Sequence, residues 1–196
     1  MVRDRGPRPE ARPLRLFVGA EVPEDVRAAV AHAVSPLRER YPRARWVPTG
    51  NQHVTLKFLG STDPRLVEWV AASIGAVASR QGAFETRVRD LGAFPNNRRA
   101  RVLWAGLDDA ASAFERLAAD LDESLSKEFV AEKRAFTPHL TIARFEPQVA
   151  VDPDEIRYES PPFEVGRIVL FRSHLRRPAP VYEPIERYPL PVLDRP

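Results

Sequence analysis

Two short segments of this sequence contain the same arrangement of side chains that can move a proton and hold an anion. QHVTLKFLG (52–60) and PHLTIARF (138–145) each contain His-x-Thr, and an apolar residue flanks the Thr on either side. Imidazole titrates near neutral pH, so one histidine can hold a proton while a second lacks one. Such a pair is suited to concerted general acid–base catalysis, and the Thr hydroxyls could hold the oxygens of a phosphate.

Both segments have the composition of β-strands, in which alternate side chains share a face. Alternation places His53, Thr55 and Lys57 on one face of the first strand, opposite its aliphatic side chains. In the second strand His139 and Thr141 share a face. If two similar lobes pair about a pseudo-twofold axis, these polar faces meet across a cleft that contains two imidazoles and two hydroxyls.

Three other interpretations explain the repeated motif less well. Two structural histidines would not need the same neighbours on both sides. A catalytic zinc usually takes three protein ligands, and neither motif contains an acidic residue. The sequence contains no cysteine, which excludes thiol nucleophiles, disulfides and Cys-ligated zinc. A serine hydrolase of the G-x-S-x-G type has no matching segment.

The composition is that of an ordinary soluble globular protein. The 196 residues are 43% hydrophobic and 29% charged, enough for one substantial core or for two small lobes that share one. No apolar run approaches the ~20 residues of a membrane span, and the absence of cysteine fits a cytoplasmic location. The net charge of +3 permits an anionic substrate without indicating a broad nucleic-acid groove.

Hydrophobic periodicity predicts an α+β chain of strands and helices in mixed order. The Arg- and Pro-rich residues 1–13 are expected to form a disordered N-terminal arm, and residues 14–196 a single bilobal domain. Strands are predicted over 14–20, 44–48, 53–60, 83–94, 100–107, 139–145, 163–173 and 181–190. Helices are predicted after Pro23 with a possible kink at Pro36, over 62–80 with Asp63 as N-cap, and from Asp108 or Asp109 to Leu125.

The motifs and their surroundings resemble the 2H phosphoesterase superfamily, and within it the bacterial LigT-like RNA 2′,3′-cyclic phosphodiesterases, also called 2′-5′ RNA ligases. The similar segments are RLFVGAEVP, WV with NQHVTLKFLG, LGAFPNNRRARVLWAGL, FTPHLTIARF, LFRSHL and VYEPIERYPL, from about Leu14 to Leu190. The resemblance implies two pseudo-symmetric lobes of mostly antiparallel sheet, with outer helices, around a central cleft. Ala179 stands where the family usually has a glycine, in a loop that borders this cleft.

The resemblance also implies an activity, which is the opening of ribonucleoside 2′,3′-cyclic phosphates to 2′-phosphates without a metal or another cofactor. By the family's pattern His53 is the proton donor, His139 is the proton acceptor, and Thr55 and Thr141 bind phosphoryl oxygens. Further candidate substrate-binding residues are Lys57, Arg98, Arg99, Arg101, Arg144 and Tyr182. Simple alternation places Arg144 on the face away from the cleft, so it requires a twist or a bulge to reach the substrate.

The expected partners are RNA 3′ ends or small 2′,3′-cyclic nucleotides, bound by a monomer that does not engage a membrane. Two alternatives stay open at this point. One is 2′-5′ RNA ligase or 2′-5′ phosphodiesterase activity in the same site, because ligation is the reverse chemistry. The other is an RNA-end-binding module that keeps the fold without turnover.

Overall fold

The computed structural model describes residues 12–109 and 111–192. Most of the predicted N-terminal arm (1–11) lies outside the described residues. The strands are β1 (Leu14–Glu21), β2 (Arg45–Trp46), β3 (His53–Thr62), β4 (Phe84–Thr86), β5 (Val88–Phe94), β6 (Ala100–Leu107), β7 (His139–Val149), β8 (Phe163–Val165), β9 (Arg167–His174) and β10 (Val181–Pro189). The α-helices are α1 (Glu24–Ala33), α2 (Ser35–Arg40), α3 (Val67–Ala78) and α4 (Ala113–Leu125).

One long antiparallel sheet joins two halves of the chain. Its strand order is β10-β9-β1-β3-β7-β6-β5, with β2 paired to β7, while β4 and β8 form a separate two-stranded sheet. Strands β3 and β7 pair at a single position, Val54 with Leu140. The sheet therefore divides at this position into a His53 half (β10-β9-β1-β3) and a His139 half (β7-β6-β5 with β2).

The helices cover one face of this sheet. Helices α3 and α4 pack against each other, α4 contacts β3, and α3 contacts β9 and β10. The buried apolar side chains of α4 are the stripe expected from its sequence: Phe114, Leu117, Ala118, Leu121 and Leu125. The opposite face of the sheet carries the two motif histidines. Within the described part of the chain, no helix has the length and apolar character of a membrane span.

Local sequence accounts for most differences between the predicted and the observed elements. Helix α1 ends at Ala33 and α2 begins at Ser35, with Pro36 in its first turn, which confirms the expected break near this proline. Asp63 accepts a hydrogen bond from the Arg65 amide, but it caps a 3-10 turn that precedes α3. Helix α4 begins at Ala113, and the carboxylate of Asp109 accepts hydrogen bonds from two amides of its first turn. The single strands predicted over 83–94 and 163–173 are each divided in two, because β4 and β8 leave the main sheet and pair with each other.

Strands β3 and β7 share a second feature, a β-bulge directly after the motif threonine. On β3 the pairing with β1 skips Leu56, and on β7 the pairing with β6 skips Ile142. An extra residue reverses the alternation of side chains that follow it. Lys57 therefore lies on the buried face of β3 beside Leu56, and Arg144 lies on the exposed face of β7.

Candidate active site

The two motif histidines lie on either side of the one point where the two halves of the sheet pair. His53 directly precedes Val54, and His139 directly precedes Leu140, the two residues of that pair. Since β3 and β7 are antiparallel, this arrangement has an approximate twofold axis between Val54 and Leu140. The axis relates His53 to His139 and Thr55 to Thr141, as the repeated motif predicts.

The imidazole of His53 is held in one orientation by a backbone carbonyl and by aromatic rings. Its Nδ1 lies 2.8 Å from the carbonyl oxygen of Asn51. A carbonyl only accepts, so Nδ1 carries the hydrogen and Nε2 is left to exchange a proton with a substrate. The ring stacks on Phe17 with centroids 4.7 Å apart, and Tyr182 meets it edge-on at 5.1 Å.

His139 has the same arrangement with different neighbours. Its Nδ1 lies 2.7 Å from the carbonyl oxygen of Thr137, so its Nε2 is also the free nitrogen. Phe94 meets the ring edge-on at 5.1 Å, and the Trp104 ring lies 6.1 Å away. Both imidazoles thus present Nε2 from a rigid strand, with the tautomer fixed by the backbone.

Burial governs the protonation of both histidines. The loss of solvent around His53 lowers its pKa to about 4; the Asn51 carbonyl opposes this shift, and charge on His139 adds to it. Burial also lowers the pKa of His139, and the Arg144 guanidinium lowers it further against the opposing effect of the Thr137 carbonyl. The two imidazoles are therefore close enough to repel each other when charged, as expected of groups that share one cleft.

The motif threonines lie beside the histidines at half-buried positions. The hydroxyl of Thr55 is 3.1 Å from Nε2 of His53, and it can donate to this nitrogen when His53 is neutral. When His53 is protonated, the same hydroxyl can turn toward an anion in the cleft. Thr141 occupies the equivalent position on β7, next to Trp104 on β6.

Lys57 does not lie in the cleft, so its predicted position on the face of His53 is wrong. The bulge at Leu56 turns its side chain to the helix side of the sheet, where it is 5% exposed. The ammonium group forms an ion pair with Asp122 of α4 and donates to the Val130 carbonyl oxygen at 2.8 Å. Lys57 therefore joins β3 to α4 and to the loop that leads to His139.

The bulges bring two other side chains to the exposed face in equivalent positions. Arg144 follows the bulge of β7 on the exposed face of the strand, and its positive charge lowers the pKa of both His139 and Tyr182. Phe58 follows the bulge of β3 and is 66% exposed, with its ring 6.2 Å from that of Phe17. Sequence reasoning missed Phe58, because regular alternation assigns it to the core.

The remaining candidates differ in their distance from the histidines. Tyr182 contacts His53 directly, and burial raises its pKa. Arg98 and Arg99 lie in an exposed 3-10 turn between β5 and β6, where Arg99 donates to Gln148 at 3.2 Å. Arg101 is exposed near the start of β6. Within the described chain, these three arginines make no hydrogen bond or ion pair to a cleft residue, so they remain candidates at the rim.

Gly19 makes room for the imidazole of His53, and the sequence reasoning missed this glycine. A Cβ on Gly19 would lie 2.9 Å from the Val54 carbonyl oxygen and 3.3 Å from Cδ2 of His53. Gly106, the strand partner of His139, is similarly confined: a Cβ there would lie 2.9 Å from the Arg89 carbonyl oxygen. Each histidine therefore lies beside a strand position with little space for a side chain.

The comparisons with known proteins agree with this geometry. A family model described as "LigT like Phosphoesterase" matches residues 21–104 and 106–182, which include both motifs. The chain belongs to this family. Its two-lobed α+β architecture, predicted from the sequence, is thereby confirmed.

Three members illustrate the similarity. A Thermus thermophilus protein named RNA 2′,3′-cyclic phosphodiesterase is 35% identical over 188 residues, which cover 90% of each chain. A Geobacillus stearothermophilus protein of the same name is 30% identical over 179 residues, or 89% of this chain; the match spans 56% of that relative's length. The structure of Escherichia coli LigT complexed with 3′-AMP has a TM-score of 0.75 and 25% identity, and the match covers 91% of this chain and 98% of that one.

The side chains around the two motifs carry mainly nitrogen and hydroxyl groups. Across residues 12–109 and 111–192, no group of three or more His, Cys, Asp or Glu side chains is arranged to hold a metal ion. The two imidazoles, the two threonine hydroxyls and the Arg144 guanidinium belong to the same face of the sheet, around the Val54–Leu140 pair. This set can bind an anion and transfer protons on both sides of it.

Proposed function

We propose that this protein hydrolyses the 2′,3′-cyclic phosphate at RNA ends, or in small cyclic nucleotides, and leaves a 2′-phosphate. The observation that carries the proposal is the pair of imidazoles, one from each half of the sheet, each with its Nδ1 held by a backbone carbonyl so that Nε2 is left for a substrate. Hydrolysis of a phosphodiester needs a base for the attacking water and an acid for the departing oxygen. The relatives' name, RNA 2′,3′-cyclic phosphodiesterase, supports this choice among phosphoesterase reactions.

The proposed reaction is a single in-line displacement at phosphorus. Nε2 of neutral His139 takes a proton from water as its oxygen attacks, and the bond from phosphorus to the 3′-oxygen breaks. Protonated His53 gives its Nε2 proton to that oxygen, which leaves as the 3′-hydroxyl. The low pKa of His53 makes its protonated form a strong acid, which suits the donor role. Proton exchange with solvent then restores both histidines.

The other cleft groups stabilise charge that develops on the phosphoryl oxygens. The hydroxyls of Thr55 and Thr141 can donate to those oxygens, and the Arg144 guanidinium supplies a positive charge on the His139 side. Exposed Phe58 offers an apolar surface of the kind on which a base can stack. These contacts fit a nucleotide end, whose phosphate and base require a polar and an apolar surface together.

A direct test is hydrolysis of a 2′,3′-cyclic nucleotide in EDTA, with the product identified as the 2′-phosphate by ³¹P NMR. We expect His53→Ala and His139→Ala each to lower kcat by roughly 10²–10⁴-fold, the usual contribution of a positioned proton-transfer group. The double variant should lose much less than the product of the two, because both act on one transition state. His32→Ala, an exposed histidine of α1, is the matched control and should keep full activity.

The same assay separates the alternatives. Binding of RNA ends without turnover by the folded wild-type protein would indicate a binding module, and full activity in either catalytic variant would contradict the mechanism. Formation of 2′-5′ linkages from cyclic-phosphate and 5′-hydroxyl ends would show that the same site also accepts a 5′-hydroxyl as the attacking group in place of water. A cytoplasmic location and a monomeric state remain predictions, the latter testable by light scattering.

A further inference from the structure

A second feature of the site is a cavity of about 710 Å³ that opens beside His53. Its volume lies within the range of about 300–1,000 Å³ that is typical of small-molecule sites. Its lining residues come from β1 and α1, from the segment that leads into β3, and from β8, β9 and β10 with the turn between β8 and β9. They include Gln52, His53, Tyr182, Arg27, Arg167 and Arg187.

The wall next to His53 contains a buried amide that lacks a partner. Gln52 is 5% exposed, and its Oε1 has no hydrogen-bond partner among the described residues. Nε of Arg27, in the same lining, is also buried and unpaired, although its Nη1 donates to the Thr49 carbonyl oxygen at 2.6 Å. Buried polar groups are normally hydrogen-bonded, so these two atoms leave unused hydrogen-bonding capacity beside the cavity.

Around Glu21, the cavity lining has more positive than negative charge. Glu21 is the strand partner of His53, and its carboxylate lies 2.7 Å from Nε of Arg167 and 3.5 Å from an Nη of Arg187. Two guanidinium groups thus share one carboxylate, and their side chains are 58% and 50% exposed. Their remaining N–H groups can bind the oxygens of a phosphate.

The cavity as a whole is not strongly basic. Glu24 and Glu164 also line it, so its three arginines face three carboxylates. A lining of this kind does not attract a long polyanion, which requires many unpaired cations. It suits a ligand with one phosphate at a fixed place.

The proposed reaction determines which part of the substrate points toward this cavity, so the inference about the cavity rests on the proposed function. The 3′-oxygen departs toward His53, so the ribose that carries it lies on the His53 side of the phosphorus. The 5′ carbon of that ribose, and the phosphate attached to it, continue away from His139. The Arg167–Arg187 pair lies in that direction, beyond the strand partner of His53.

We infer that Arg167 and Arg187 bind the phosphate on the 5′ side of the terminal nucleotide, with the buried amide of Gln52 facing the same nucleotide. The substrate class is then RNA, or a nucleotide with a 5′-phosphate, in preference to a nucleoside 2′,3′-cyclic phosphate that ends in a 5′-hydroxyl. The specificity of the enzyme is set by one phosphate next to the reacting one.

Three substrates with the same terminal base test this inference: the nucleoside 2′,3′-cyclic phosphate, its 5′-phosphorylated form, and a dinucleotide that ends in the cyclic phosphate. We expect kcat/KM to be about tenfold higher or more for the last two at low salt, since charge-assisted hydrogen bonds to one phosphate contribute on this scale. In Arg167→Gln and Arg187→Gln, the ratio of kcat/KM with and without the 5′-phosphate should fall toward one. Arg40→Gln removes an ion-paired arginine of similar exposure on α2 and should keep the wild-type ratio.

The outcomes distinguish the inference from the function on which it rests. Equal kcat/KM for all three substrates in the wild-type enzyme would overturn the 5′-phosphate site and leave the phosphodiesterase proposal standing. An equal loss of kcat/KM on all three substrates in both arginine variants, with the ratio between substrates unchanged, would also overturn the 5′-phosphate site. No hydrolysis of any of the three by the folded wild-type protein would refute the proposed function itself.

Discussion

The pH dependence of kcat/KM tests the physical account of the histidine pair most directly. His53 is enclosed by Phe17 and Tyr182, and this burial lowers its pKa to about 4. The pKa of His139 is also below its ordinary value of 6.5. The reaction nevertheless requires one protonated and one neutral imidazole. In the free enzyme both are mainly neutral at pH 7, so the productive form is a minority.

The size of the effect follows from the lower of the two pKa values. A group with a pKa of about 4 is protonated in about one molecule in a thousand at pH 7. Lowering the pH by one unit raises this fraction about tenfold until the second imidazole becomes protonated. We therefore expect kcat/KM to fall about tenfold per pH unit above 6.5, with an optimum clearly below 6.5. Two unperturbed histidines would instead give a profile centred at 6.5.

The assay is initial-rate hydrolysis of a cyclic nucleotide between pH 4.5 and 8.5 at constant ionic strength, with circular dichroism to verify the fold at each pH. The optimum of kcat should lie at higher pH than that of kcat/KM, because the bound anionic phosphate raises the pKa of both imidazoles. Histidine NMR titration of the free enzyme provides an independent pKa for His53. An optimum of kcat/KM at or above pH 6.5 would refute the argument that burial controls this site.

Three further predictions concern groups that hold the site in place. In the unfolded chain His53 binds a proton below its ordinary pKa of 6.5, whereas in the folded protein it does so only near pH 4. The free energy of unfolding should therefore drop by about 3 kcal/mol as the pH falls from 6.5 to 4. Urea unfolding of His53→Gln should lack most of this drop. Lys57→Met leaves Asp122 without its cation and should destabilise the fold by about 3–5 kcal/mol, whereas Lys57→Met with Asp122→Leu should recover most of that loss in the same assay. Gly19→Ala places a methyl group against the Val54 carbonyl and His53, so kcat should fall about 10–100-fold while thermal unfolding still shows a cooperative transition.

The histidine and threonine pairs of the candidate site were predictable because their information is local. Each histidine begins a strand, and its threonine follows two residues later, so the period of a β-strand alone places the two side chains together. The repeat of the motif then indicates two related halves. What the sequence does not contain is the distance between the halves, which depends on the pairing of Val54 with Leu140.

The face of the sheet on which the side chains after the threonines lie was not predictable, for a specific physical reason. Leu56-Lys57-Phe58 reads as continued alternation of apolar and polar residues, and a β-bulge leaves no compositional mark in it. The bulge reverses the assignment, so that Lys57 is buried and Phe58 is exposed. The partner that makes a buried lysine acceptable is Asp122, which lies 65 residues away on a helix. Only the folded chain brings that carboxylate to the strand.

The equivalent positions of Phe58 and Arg144 have a consequence for the direction in which a substrate binds. Two histidines related by a twofold axis are chemically interchangeable, and by themselves they would accept a cyclic phosphate in either of two opposite orientations. The bulges expose an aromatic ring at one of the related positions and a guanidinium at the other. In the proposed reaction, this loss of symmetry makes one orientation more favourable, and with it decides which imidazole meets the departing oxygen and which meets the water. In the proposed mechanism, the two histidines thus take different roles because their neighbouring side chains differ.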